Sequence, residues 1–215
     1  MSSIGQRLLT IKSNLPNEVT LVAVSKTKTK DDILQAYETG HRVFGENKVQ
    51  ELAEKAVALP SDIKWHMIGH LQSNKVKYIA PFISLIHAVD SQKLLLEISK
   101  RAQQHNKNIR CLLQLRIAQE DTKFGLSKEN LTSLLSHHYP NVDIVGLMGM
   151  ASNTNDEEKV KSEFRFLKSV FDELTLKYPK LSILSMGMSG DYDIAIEEGS
   201  NMIRIGSSIF GKRTT

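Results

Sequence analysis

The chain has 215 residues, 40% of them hydrophobic and 24% charged, with a formal net charge of 28 − 24 = +4 and a single cysteine, Cys111. That length predicts one domain, residues 1–215, whose core needs no disulfide or metal staple. The lone cysteine excludes an internal disulfide, no apolar run approaches the roughly 20 residues of a membrane span, no leader pattern opens the chain, and no block of like charges marks a nucleic-acid footprint, so a cytoplasmic protein with no membrane or nucleic-acid partner is expected.

Short β-branched runs alternate with amphipathic segments from end to end. An amphipathic segment over 4–15 precedes the first strand, 19–25. Thr29 then offers a capping hydroxyl, and Asp31 and Asp32 two acids, to a helix over 30–39 that Gly40 follows. A short strand at 42–45 leads to a helix over 48–58, and a strand at 64–68 to one over 71–79. The strand at 84–88 is followed by Asp90-Ser91, which opens a helix over 91–105. A strand at 109–116, a polar loop at 118–124 and a helix over 128–137 come next, then a strand at 142–148. In the helix over 157–178, Val160, Phe164, Leu167, Phe171 and Leu174 recur at threes and fours, a buried stripe. A strand at 182–186, a helix over 191–198 closed by Gly199 and a strand at 202–205 complete the pattern.

Eight strands separated by helices read as parallel β/α units, and runs such as Leu21-Val22-Ala23-Val24, apolar on both faces, suit strands covered on both sides. A closed (β/α)8 barrel with an extra N-terminal helix is the expected fold, with a doubly wound open sheet as the alternative. In either, function gathers just past the carboxyl ends of the strands. Lys26 stands there, ending a run with no other charge. An amine against apolar walls loses ammonium hydration, which favours the neutral form a Schiff base requires, whereas a lysine that simply leaves the strand enters solvent. Two glycine–serine turns, Gly187-Met188-Ser189-Gly190 and Gly206-Ser207-Ser208, follow the last two strands. Glycine admits an anion close to backbone N–H groups and serine adds a donor, so the pair reads as a phosphate cradle, with Asp191 and Asp193 against it; either alone reads as an ordinary turn. The second turn leads into a short tail. Arg204, inside a strand, demands a partner: a fixed anion, an aromatic nitrogen acceptor, or a carboxylate such as Glu46. His66 and His70 have metal-ligand spacing but straddle a strand end and read as structural or site-lining histidines. Cys111, in an apolar strand, reads as an inert thiol. The near P-loop from Gly206 to Lys212 lacks the hydroxyl that would ligate magnesium.

The segments Ala23-Val24-Ser25-Lys26-Thr27-Lys28, Phe44-Gly45-Glu46-Asn47, Ile68-Gly69-His70-Leu71-Gln72-Ser73-Asn74-Lys75, Leu184-Ser185-Met186-Gly187-Met188-Ser189 and Ile203-Arg204-Ile205-Gly206-Ser207-Ser208 stand in order at fitting intervals. Together they resemble the pyridoxal phosphate homeostasis proteins, single-domain relatives of the alanine racemase N-terminal barrel. The resemblance implies a (β/α)8 barrel of that type, with pyridoxal 5′-phosphate as cofactor, held as a Schiff base on Lys26. It implies phosphate contacts from Ser189, Gly206 and Ser207, Arg204 facing the pyridine nitrogen, and Asn47, Ile68 and Met186 flanking the ring. Two positions depart from the commoner pattern: serine at 207 in place of a frequent threonine, and Gly190 in place of a larger polar residue. The chain stops soon after the eighth strand, so the β-rich domain that gives racemases an opposing acid/base and a dimer interface is expected to be missing. The implied function is intracellular buffering or delivery of the cofactor to apoenzymes, by a monomer without robust turnover. A weak amino-acid racemase is one alternative. A cofactor-free Schiff-base aldolase, with Lys28 or Glu46 beside Lys26, is the other.

Overall fold

The eight strands pair side by side into one closed sheet. In the computed structural model, which describes residues 3–118 and 125–211, they are β1 (Thr20–Val24), β2 (Val43–Glu46), β3 (Lys64–Met67), β4 (Leu85–Val89), β5 (Ile109–Gln114), β6 (Val142–Met148), β7 (Ile183–Met188) and β8 (Met202–Ile205). Each pairs in parallel with the next, and β8 closes on β1 with Arg204 opposite Val22. Closure in chain order selects the (β/α)8 barrel over the open doubly wound sheet.

The connecting helices are α1 (Ser3–Ser13), α2 (Lys30–Tyr37), α3 (Val49–Ala58), α4 (Gln92–Gln104), α5 (Lys128–Leu135), α6 (Glu157–Lys177), α7 (Tyr192–Glu197) and α8 (Ser207–Phe210). The start of α2 is fixed by a capping box: Thr29 Oγ1 accepts from the Asp32 amide at 3.1 Å, and Asp32 Oδ2 from the Thr29 amide at 3.2 Å. The extra helix α1 packs against α2 and α8, and Arg7 Nε donates to Ile209 O at 2.6 Å. Two elements differ from expectation. The segment over 71–79 is a 3-10 helix, Ser73–Tyr78, because Ser73 and Asn74 are weak α-helix formers. The turn after β8 opens α8 where a tail was expected. Of the loop expected over 118–124, residues 119–124 lie outside the described residues.

Strand alternation sorts the side chains into two layers. Ala23, Phe44, Met67, Ile86, Leu184 and Ile203 join Ile33, Leu52, Ile98 and Phe164 in the larger core beneath the helices. Val22, Leu85, Leu112, Met148 and Met202 have the opposite parity and fill the barrel's interior. Among the described residues no helix is long and apolar enough to cross a membrane.

Candidate functional site

A cavity of about 310 Å³ opens at the carboxyl ends of the strands, a size typical of small-molecule clefts. Lys26, Asn47, Ile68 and Arg204 line it, as do Ser189, Gly206 and Ser207. The barrel thus gathers seven of the eight expected residues from five strand ends. Met186 is not among them. Its parity places it with the outer core, fully buried beneath the helices. Met150 and Met188 line the cavity instead. The register between β7 and β8 shifts between Ser185 and Met188, which brings the later methionine to the mouth.

Lys26 is half-buried, two residues beyond Val24 and on the same parity, so it continues the inward-facing row of β1. Its neighbours are tied down on both sides. Ser25 Oγ donates to Glu46 Oε1 at 2.6 Å. The Lys55 ammonium, buried beneath α3, donates to Ser25 O, Glu46 Oε1 and Glu51 Oε1 at 2.9, 2.8 and 2.7 Å. Glu51 Oε1 also accepts from the Thr27 amide at 2.6 Å. Thr27 has φ 63, a left-handed conformation that strains a β-branched residue and persists only where its surroundings enforce it. Burial pushes the Glu46 carboxyl above its usual range against the pull of Lys55 and Ser25, and Glu46 Oε2 has no partner. Glu46 lies outside the barrel wall and does not pair with Arg204.

The two glycine–serine turns meet. The Gly206 amide donates to Ser189 Oγ at 3.2 Å, which leaves the serine's own O–H for another acceptor. Intrahelical bonds in α8 begin with the Ile209 and Phe210 amides on Gly206 O, so the Ser207 and Ser208 amides precede them. Gly187 has φ 94, and a Cβ there would lie 2.6 Å from Ala195 Cβ, so the end of β7 that leads into the turn requires glycine. Asp191, expected to oppose an anion, turns its carboxylate aside to accept from the Met188 amide at 2.6 Å. Asn47 is held at the rim by a close approach: a Cβ on Gly69 would lie 2.5 Å from Asn47 O.

Arg204 is buried. Its Nη1 donates to Ser185 Oγ at 2.6 Å and its Nη2 to Gly149 O at 3.1 Å. Lys28 also lines the cavity, its ammonium donating to Phe210 O and Gly211 O at 3.2 and 3.3 Å. His66 and His70 part company: His66 turns into the barrel, while His70 pairs with Asp90 at 3.1 Å. Cys111 is fully buried, and burial pushes its thiol pKa up. The sequence pattern assigns no role to Lys55 or Ser185. The only sequence signal for Lys55 is its spacing of four from Glu51 on one helix. Ser185 stands in the segment from Leu184 to Ser189, and nothing in the sequence shows which way it faces.

The ionisable groups among the described cavity residues are Lys26, Lys28 and Arg204, all cationic types, with no carboxylate among them. An amine at one wall, hydroxyl and amide donors at another and a guanidinium below suit an anionic aldehyde with an acceptor nitrogen. Pyridoxal 5′-phosphate has those three features, so the residues present fit it.

The comparisons agree with that chemistry. Residues 1–214 match the model of the alanine racemase N-terminal domain. A pyridoxal phosphate homeostasis protein of Aquifex aeolicus is 42% identical over 197 residues, covering 90% of this chain and 86% of that one. The human protein of the same name is 39% identical over 209 residues, covering 90% and 76%. PipY of Synechococcus elongatus, solved with PLP bound, superimposes with a TM-score of 0.89 at 34% identity, covering 97% of this chain and all of that one. Alanine racemase of Bartonella henselae shares the fold, with a TM-score of 0.72 at 17% identity over 99% of this chain and 61% of its own. With its sequence matched from end to end and its barrel superimposed, the chain belongs to the alanine racemase N-terminal domain family, among the pyridoxal phosphate homeostasis proteins.

Proposed function

We propose that this protein binds pyridoxal 5′-phosphate as a Schiff base on Lys26 and holds it in the cytoplasm for delivery to enzymes that need it. The observation that carries this reading is the convergence of the Lys26 amine, the donors of two joined glycine–serine turns and the Arg204 guanidinium on one cavity. The names of the curated relatives and the PLP-bound PipY structure support it.

When bound, the cofactor supplies an electron-withdrawing ring conjugated to an amine. The protein's part is to attach, orient and restrain. Lys26 would hold the cofactor through its amine, joined to the aldehyde carbon by a carbon–nitrogen double bond with loss of water. Ser189 would donate its hydroxyl and Ser207 its backbone amide to the phosphate, while Gly206, whose amide is taken by Ser189 Oγ, would let the anion come close. Arg204 would donate to the ring nitrogen and, staying cationic, would surrender no proton, which would weaken the ring as an electron sink. Racemisation requires a second acid/base opposite Lys26. Among the described residues the cavity offers Lys28, whose ammonium is engaged by two carbonyls. That supports storage and exchange rather than turnover. The protein acts as a monomer in this reading.

Lys26→Ala tests the reading. The purified variant should lose the visible absorbance band of the lysine-linked cofactor, while Lys28→Ala keeps it. An unchanged band in Lys26→Ala overturns the attachment. D/L interconversion of an amino acid at ordinary enzymatic rates overturns the storage role.

A further inference from the structure

Barrels of this class are normally filled by branched apolar side chains. Here a column of polar groups crosses the interior. Arg204 Nη1 reaches Ser185 Oγ at 2.6 Å; Ser185 Oγ lies 3.2 Å from His87 Nδ1; His87 Nε2 lies 3.0 Å from His66 Nδ1. All four side chains are buried, and His87 and Ser185 are fully so. The column begins at the cofactor cavity. It ends at a second cavity, of about 350 Å³, at the opposite mouth, where His66 stands beside Thr20, Leu85 and Met202 at the starts of β1, β4 and β8.

The direction of the first bond in this column is fixed by chemistry. A guanidinium only donates, so Ser185 Oγ accepts from Arg204. With the serine's single proton given to His87 Nδ1, the same direction runs on through the column. A neutral His87 that accepts at Nδ1 carries its proton on Nε2 and donates it to His66 Nδ1. His66 in turn carries its proton on Nε2, beside the lower cavity. Both rings are neutral: burial lowers their pKa values, and the charged neighbours Arg204, Arg110 and Lys64 push the same way.

The column also settles what kind of partner Arg204 has. Among the described residues it forms no salt bridge; its acceptors are a hydroxyl and a carbonyl. A carboxylate would have cancelled its charge. Neutral dipoles hold the guanidinium in place, and the Asp191 carboxylate acts on its charge electrostatically.

We infer that Ser185 and His87 are positioning residues that aim Arg204 at the cofactor, and that with His66 they form a hydrogen-bond column of one fixed polarity from the cofactor cavity to the far mouth of the barrel. This rests on the reading that pyridoxal 5′-phosphate occupies the upper cavity, with its ring nitrogen toward Arg204.

Two measurements test it, the first independent of cofactor. Nitrogen-15 NMR of the intact protein without added ligand reports which ring nitrogen carries each proton. The column requires the Nε2–H tautomer at both His66 and His87 at neutral pH. A proton on Nδ1 of His87, or a charged ring there, overturns it. The second measurement uses added pyridoxal 5′-phosphate with His87→Asn and His87→Leu. The asparagine Oδ1 can accept from Ser185 as Nδ1 does, and leucine cannot. His87→Leu should shift the absorbance band of the bound cofactor and weaken its binding by about fivefold, the scale of one hydrogen bond, with His87→Asn restoring both. Equal behaviour of the two variants overturns the positioning role. If wild type binds no cofactor, the proposed function fails, and the tautomers still decide the column.

Discussion

The Gly206 amide donates to the Ser189 hydroxyl across 3.2 Å, joining the turn after β7 to the turn after β8. That bond makes one cradle of two ordinary turns and spends the serine's oxygen on the protein while its proton stays available. Ser189→Ala removes both functions. It should weaken pyridoxal 5′-phosphate binding by roughly tenfold, the scale of one hydrogen bond to a charged group. Gly190→Ala, where a Cβ would meet nothing within 4 Å, should stay within about twofold of wild type. Equilibrium dialysis reads both, and equal losses would argue against the cradle.

Gly69 sets the height of Asn47 at the rim. A Cβ there would lie 2.5 Å from Asn47 O and 2.9 Å from its Cα, both backbone atoms that cannot swing away. Gly69→Ala should cost about 1–3 kcal/mol of stability and weaken cofactor binding as Asn47 is displaced. Urea unfolding beside a binding titration checks both. A variant normal in both would show that the loop shifts freely.

Lys55 answers a buried carboxylate and holds the backbone beside Lys26. Lys55→Met leaves Glu46 buried without its cation and should destabilise the fold by about 3–5 kcal/mol. Adding Glu46→Met should recover most of that loss, since the cost lies in the uncompensated charge. If the double variant is as unstable as the single one, Lys55 acts through packing and not through charge.

Acid should unfold this protein through its histidines. Burial lowers His41 to about 4 and His66 to about 3, and holds His87 well below its usual 6.5. Below 6.5 the unfolded chain binds protons that the folded chain refuses. Stability present in full above that pH is therefore lost as pH falls, at up to about 1.4 kcal/mol per pH unit for each histidine. Glu46, raised by burial, works in the opposite sense: its penalty is present once it ionises and is relieved as it protonates. His41→Gln, which can keep a donor for Val43 O, should flatten the slope below 6.5 by about one histidine's share. An unchanged slope would show that His41 titrates normally.

The barrel was legible because each strand announces itself. The runs at 142–148 and 202–205 match β6 and β8 to the residue, and the others match to within about two residues, since β-branched runs and capping residues act locally. The cavity residues were legible where they stand just beyond strand ends. Facing was harder. Met186 lies one residue from Ser185 in the same apolar run, and only the register of β7 shows that the serine points inward and the methionine outward. The histidine column was illegible for a related reason. His66, His87 and Ser185 are scattered over 119 positions and meet only once the barrel closes. Lys55 likewise reads as one more helix-surface charge until α3 folds it over Ser25 and Glu46.

Borohydride reduction of the protein loaded with pyridoxal 5′-phosphate, followed by peptide mapping, tests the central claim most directly. Reduction fixes the cofactor to whichever amine holds it. The modified residue should be Lys26. Modification of Lys28 or of any other lysine, with Lys26 untouched, would contradict the account.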